Sequence, residues 1–175
     1  MMTKAPIATL VLALGNPLRG DDGVGAAVLN ALPDLPPGVT GLDGGTPGLG
    51  LVLSLRGYDR AIIVDAAEMG EMPGTWRRFS PDCLRAQDPD LRGTLHDAGL
   101  AEALLLGEAL RVLPSEIIIF GIQPGEIGWS PGLTPAVAAA IPDLCEAIMS
   151  LLAIEPRQTA GDSHRKASMP APKLM

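Results

Sequence analysis

The sequence predicts an α/β fold: a single-domain three-layer sandwich in which a twisted, mostly parallel sheet of about five strands lies between helices. Three observations carry that expectation. Short aliphatic and β-branched runs, too brief for globular helices, recur along the chain. Between them lie segments with apolar residues at helical spacing, the alternation that builds parallel sheets. Glycine, proline, asparagine and aspartate stand at the joints, where the backbone must turn. A chain of 175 residues fits one domain with one core. Hydrophobic residues make up 47% and charged residues 19%, which excludes wholesale disorder, and the 3% of aromatics makes the core aliphatic.

Ile7 to Leu14 is the first strand, buried on both faces because it is apolar throughout. Gly15, Asn16 and Pro17 turn the chain, and Val24, Ala27, Val28 and Ala31 then mark a helix that Pro33, Pro36 and Pro37 end. Val39 to Asp43 is a second, short strand. After Gly44 and Gly45, Thr46 and Pro47 offer an N-cap and a first residue for a helix to about Leu55. Ala61 to Asp65 is the third strand. Pro73 and Gly74 turn, and Thr75 to Phe79 returns as an edge strand antiparallel to the rest.

Residues 80 to 93, with prolines at 81 and 89, form an irregular surface excursion. Thr94, Leu95, His96 and Asp97 have the form of a capping box, which starts a helix from about Leu95 to Val112 with His96 in its first turn. Glu116 to Ile122 is another buried strand. A glycine- and proline-rich loop follows, and Thr134 and Pro135 start a helix whose buried face is Val137, Ile141, Leu144, Ile148 and Leu151, kinked at Pro142. From Glu155 the chain is polar, proline-bearing and aperiodic. A domain over 1–154 and a flexible tail over 155–175 follow.

Charge narrows the partners. The net charge is −7, and the tail holds four Lys or Arg against two acids, leaving −9 on the residues before it. That balance argues against a nucleic-acid binder. No stretch reads as a membrane span, and the first apolar run leads into Gly-Asn-Pro-Leu-Arg rather than a cleavage site, so the expected compartment is the cytoplasm. Cys83 and Cys145 are in no metal or CxxC spacing and read as reduced thiols.

Chemistry gathers where the parallel strands end. Asp22 lies just past the first strand, Asp43 and Asp65 close the second and third, and a helix starting at the same edge brings His96 beside them. Asp22, Asp65 and His96 make a mixed oxygen and nitrogen set suited to a divalent first-row ion, be it nickel, zinc, manganese or iron. Three protein ligands would leave positions open for water or substrate. Each residue also has a plainer reading: first-turn acid, turn-capping acid, exposed helical histidine. For Asp43 an Asx-type turn with Gly44 and Gly45 stands beside a role next to a peptide backbone. A nucleotide site fails in detail. Gly15 and Gly20 have phosphate-loop spacing, but Asp21 and Asp22 stand where Lys and Ser or Thr would bind phosphate.

Five motifs in register, GNPLRGDDGVG, DGGT, IIVDAAEMGEMPGT, HDAGLAEAL and FGIQPGEIGWSPGLTPAV, make residues 7 to about 152 resemble the nickel-iron hydrogenase maturation endopeptidases. The resemblance implies removal of a short carboxyl-terminal peptide from a hydrogenase large-subunit precursor. It implies that Asp22, Asp65 and His96 contact nickel, presented by that precursor rather than held permanently. Asp43 matches the aspartate of the DGGT motif and is carried as a catalytic candidate together with Asp22 and Asp65. The alternative is a non-catalytic nickel-sensing chaperone of the same precursor, which the same residues would serve.

Overall fold

The computed structural model describes residues 7–85 and 99–154. Five strands, β1 Thr9–Leu14, β2 Val39–Gly45, β3 Arg60–Ala66, β4 Trp76–Phe79 and β5 Glu116–Ile122, form a sheet in the order β2-β1-β3-β5-β4. β1 pairs parallel with β2 and β3, β3 pairs parallel with β5, and β4 alone runs antiparallel, as an edge strand against β5. The helices are α1 Val24–Ala31, α2 Leu51–Leu55, α3 Pro81–Arg85, α4 Gly99–Ala109 and α5 Pro135–Leu152.

Alternation along the strands sorts the core into two halves. Leu10, Leu12, Ile63 and Ile119 point to the face covered by α2 and α4, where they meet Leu51, Leu55, Leu100 and Leu104. Val11, Ile62, Val64 and Phe120 point to the other face and meet Val24 and Val28 of α1 and Leu144 and Ile148 of α5. A five-residue helix such as α2 does not hold itself in water. Burying Leu51, Val52 and Leu55, at about 1.5–3 kcal/mol for each side chain, is what keeps it.

The strand order places a switch point. From β1 the chain crosses to β2 on one side, then returns past β1 to β3 on the other. Right-handed crossovers in opposite directions put α1 and α2 on opposite faces, opening a crevice between the carboxyl ends of β1 and β3.

Local departures from the expected elements have physical causes. The helix after β2 does not begin at Pro47. Gly48 is left-handed, at φ +52°, and a 3-10 turn over Gly48–Gly50 intervenes before α2 starts at Leu51. Within the stretch expected to be irregular, Pro81–Arg85 is a short helix, with the Cys83 N–H donating to Ser80 O as the preceding Ser-Pro pair would favour. α4 stops at Ala109, short of Val112, because Arg111 takes a left-handed φ of 55°. The Val112 N–H donates to Gly107 O and the Arg111 N–H to Glu108 O, the paired bonds of a Schellman ending. α5 runs unbroken through Pro142. Its mean hydropathy of 1.5 and 18-residue length would also suit a membrane span, and Val137, Leu144 and Ile148 are buried against the sheet.

At the amino edge, buried Arg60 closes the other end of the molecule. Its Nε donates to Glu116 Oε2 at 2.7 Å, and its Nη1 donates to the carbonyls of Leu151 and Ile154 at 3.1 and 3.0 Å, where α5 ends. His96, the start of its helix, residues 86–93 and the tail from Glu155 lie outside the described residues.

Candidate active site

The site is built on the tight turn after β1. Gly15 takes φ +116°, and a Cβ there would stand 1.8 Å from Asp22 O and 3.8 Å from Asp65 Oδ1. Only a residue without a side chain lets the chain fold back here, and the fold-back brings the Asp22 turn against the end of β3. Gly25 completes the approach: its Cβ would fall 2.3 Å from Leu14 O and 2.7 Å from Val64 O, so α1 sits directly on the ends of β1 and β3.

Asp22 and Asp65 are thus both brought to the switch point, and both are buried, at 1% and 0% exposure. Asp22 lies in a 3-10 turn over Gly20–Gly23, with Oδ2 accepting the Asn16 N–H at 3.1 Å. Asp65 Oδ1 accepts the Ala66 N–H at 2.8 Å. Each carboxylate is oriented by a backbone amide. Two hard oxygen donors in a buried crevice are suited to a divalent cation and ill suited to a phosphate.

Asp21, one residue earlier, points elsewhere. Its Oδ2 accepts the Gly125 and Glu126 amides at 2.7 and 3.0 Å and the Thr134 hydroxyl at 2.8 Å, while Oδ1 accepts the Thr134 amide at 2.7 Å. Burial by itself would raise this carboxyl; the amides of Thr134, Glu126 and Gly125 and the Thr134 hydroxyl outweigh it and hold Asp21 below the usual carboxylate range. The Thr134 side chain makes no cap bond at the start of α5, as its hydroxyl is spent on Asp21. Asp21 therefore ties the β1 turn to the loop after β5.

Asp43 sits near the carboxyl end of β2, exposed, and its Oδ1 accepts the Gly45 N–H at 3.1 Å. This is the Asx-type turn, and it leaves the side chain on the surface beside the crevice. β2 continues to Gly45, beyond the expected end at Asp43, because the β1–β2 pairing slips by one residue between Ala13 and Leu14.

Gln123, buried at the end of β5, was not expected. Its Oε1 accepts the Met69 and Glu71 amides at 2.7 and 3.2 Å, and its Nε2 donates to Glu68 Oε1 and Pro124 O at 2.8 and 3.1 Å. One side chain thereby shapes the loop after β3. The available signal was a polar residue closing an otherwise apolar strand.

Apolar groups stand around this edge. Trp129 is 83% exposed with the Arg19 guanidinium 5.9 Å from its ring centre, and Met72 is 79% exposed. Met69 is buried, and Trp76 packs at 5.6 Å on Phe120. A shallow recess of about 240 Å³ lies between Gly20 and the loop residues Glu126, Ser130 and Leu133. Among the described residues no three His, Cys, Asp or Glu are grouped as a metal site. His96, the expected third ligand, lies outside them.

The chain matches the family model for hydrogenase maturation protease over residues 27–151. The hydrogenase expression/formation protein HupD of Rhizobium leguminosarum bv. viciae is 33% identical over 147 residues, covering 82% of this chain and 73% of that protein. The hydrogenase 2 maturation protease of Escherichia coli (strain K12) is 31% identical, over 82% of this chain and 89% of that one. Among solved structures, the hydrogenase maturating endopeptidase HybD from E. coli superposes with a TM-score of 0.74 at 30% identity, covering 84% of this chain and 93% of the other. The [NiFe] hydrogenase maturation protease HybD from Thermococcus kodakarensis gives a TM-score of 0.69 at 28% identity, over 83% and 99%.

Proposed function

The chain belongs to the hydrogenase maturation protease family and is a peptidase, and on that premise we propose that it removes a carboxyl-terminal extension from the nickel-loaded precursor of a nickel-iron hydrogenase large subunit. The observation that carries this reading is the pair of buried, amide-oriented carboxylates, Asp22 and Asp65, at the switch point between β1 and β3. The nickel belongs to the substrate. Asp22 and Asp65, with His96 as the third donor the family resemblance implies, receive it, so that a loaded precursor is gripped and an empty one is not. Nickel held there would supply a Lewis acid able to polarise a carbonyl.

The chain's own groups do the rest. Water adds to the scissile carbonyl carbon, the C–N bond breaks, and the departing amine takes a proton. Asp43, held on the surface by the Gly45 amide, is the group we assign to orient that water or the neighbouring substrate amide. The loop fixed by Asp21 forms one wall beside the substrate, and the loop shaped by Gln123 forms another.

Family membership favours a peptidase over a nickel-sensing chaperone, and product formation separates them. Large-subunit precursors from the same source, nickel-loaded and nickel-free, are incubated with the protein and weighed by mass spectrometry. Loss of one defined carboxyl-terminal peptide from the loaded precursor alone is the expected result. Cutting of both forms would remove the nickel checkpoint, and binding of a cognate loaded precursor without cutting would favour the chaperone.

A further inference from the structure

The two edges of the sheet differ in a way that the reaction so far leaves unused. β4 is four residues long and carries exposed Arg77 and Arg78, with Arg77 paired to Glu71. Shortness and charge are how edge strands are blunted against pairing. β2 is seven residues long, has no Lys, Arg or Pro, and is exposed from Thr40 to Asp43. Among the described residues it pairs with β1 alone.

The ladder shows which groups are left over. The Thr9 N–H donates to Gly38 O, and Thr9 lies opposite Val39. In a parallel pair this alternation turns the amides and carbonyls of Thr40 and Leu42 toward β1, and those of Gly41 and Asp43 toward the open edge. That open edge leads to Gly44 and Gly45, beside the acidic crevice. The exposed charges on this strand and on the connection that leads into it have one sign: Asp43 on β2 and Asp34 between α1 and β2, with neither Lys nor Arg from Gly20 to Leu55.

We propose that β2 is the docking strand for the substrate: an extended, positively charged segment of the precursor next to the cut bond pairs with Gly41 and Asp43 as an added sheet strand. Backbone pairing supplies register and the acidic flank selects the charge. Register matters because a peptide laid along β2 is delivered, residue by residue, to Asp43. The proposal rests on the peptidase reading and adds to it how the chain being cut is held.

Amide exchange read by NMR on the full-length protein tests this. The probe is a synthetic peptide spanning the precursor's cleavage junction, with a reduced methyleneamine bond replacing the scissile amide so that it persists. Gly41 and Asp43 amides should exchange at least about tenfold more slowly when the peptide saturates, while Thr40 and Leu42, already in the ladder, stay as they were. Replacing the peptide's Lys and Arg by Gln should weaken binding.

In the processing assay, Gly41→Pro removes one outward donor and should raise KM about tenfold with kcat little changed, its melting temperature reporting whether it has folded. Gly41 and Asp43 amides that exchange freely with the peptide bound would overturn the proposal, whatever the variant does. Amides slowed without peptide, more so at higher protein concentration, would overturn it in favour of a second copy on the edge. A chain that cuts without this protection loses only the docking strand. One that shows the protection without cutting keeps the docking strand and loses the peptidase reading.

Discussion

Two neighbouring aspartates do opposite work, and their variants should separate cleanly. Asp22 turns back onto the Asn16 amide beside Asp65, so Asp22→Asn keeps that hydrogen bond and loses the charge. Processing should fall by about two orders of magnitude or more, while stability in urea stays within about 1 kcal/mol; a retained rate would remove Asp22 from the site. Asp21 instead satisfies three amides and a hydroxyl across the molecule, and its carboxyl is depressed in the folded state. Its contribution to stability is therefore complete above the ordinary unfolded value of about 3.9 and lost as pH falls through the lower folded value. Urea midpoints measured from about pH 6 downward should drop for the wild type, and Asp21→Asn, less stable throughout, should lack that part of the slope. Parallel curves would refute it. The sequence made these acids conspicuous together but did not divide their roles, because adjacent residues in a 3-10 turn point in different directions that depend on what the distant 125–134 loop brings.

Element boundaries show the same dependence on context. Strand β5 falls where its apolar run does, Glu116 to Ile122, since a run buried on both faces marks itself. The end of α4 was misplaced because Arg111 continues the helical composition while its backbone does not. A side chain in the left-handed region costs about 1 kcal/mol. Arg111→Gly should then raise stability by about 0.5–1 kcal/mol in urea melts, and a loss would mean that the arginine makes contacts worth more than the strain. Thr134 and Pro135 start α5 where their pairing predicts, while the Thr134 hydroxyl, the usual capping group, is taken by Asp21 from the far turn.

At the scale of the whole molecule, the alternation of strands and helices, the parallel order and the antiparallel edge strand were all legible. Each follows from period, run length and turn residues within short stretches. Tertiary bonds such as those of Gln123 to Met69, Glu71 and Glu68, or of Arg60 to Glu116, Leu151 and Ile154, were not, since they join segments tens of residues apart. The candidate site stood between these cases. Strand ends carrying Asp22, Asp43 and Asp65 could be located from parallelism alone, while the burial of the first and third and the exposure of the second had to come from packing.

The Arg60 tie has a practical side. It fastens Leu151 and Ile154 at the amino edge of the sheet, the end opposite Asp22 and Asp65, with the length of β3 between, seven residues or about 23 Å. In a chain shortened to end at Ile154, a resin, sensor chip or fluorescent reporter joined at that residue would be anchored at the back of the molecule, leaving the acidic crevice and the outer edge of β2 turned toward whatever flows past.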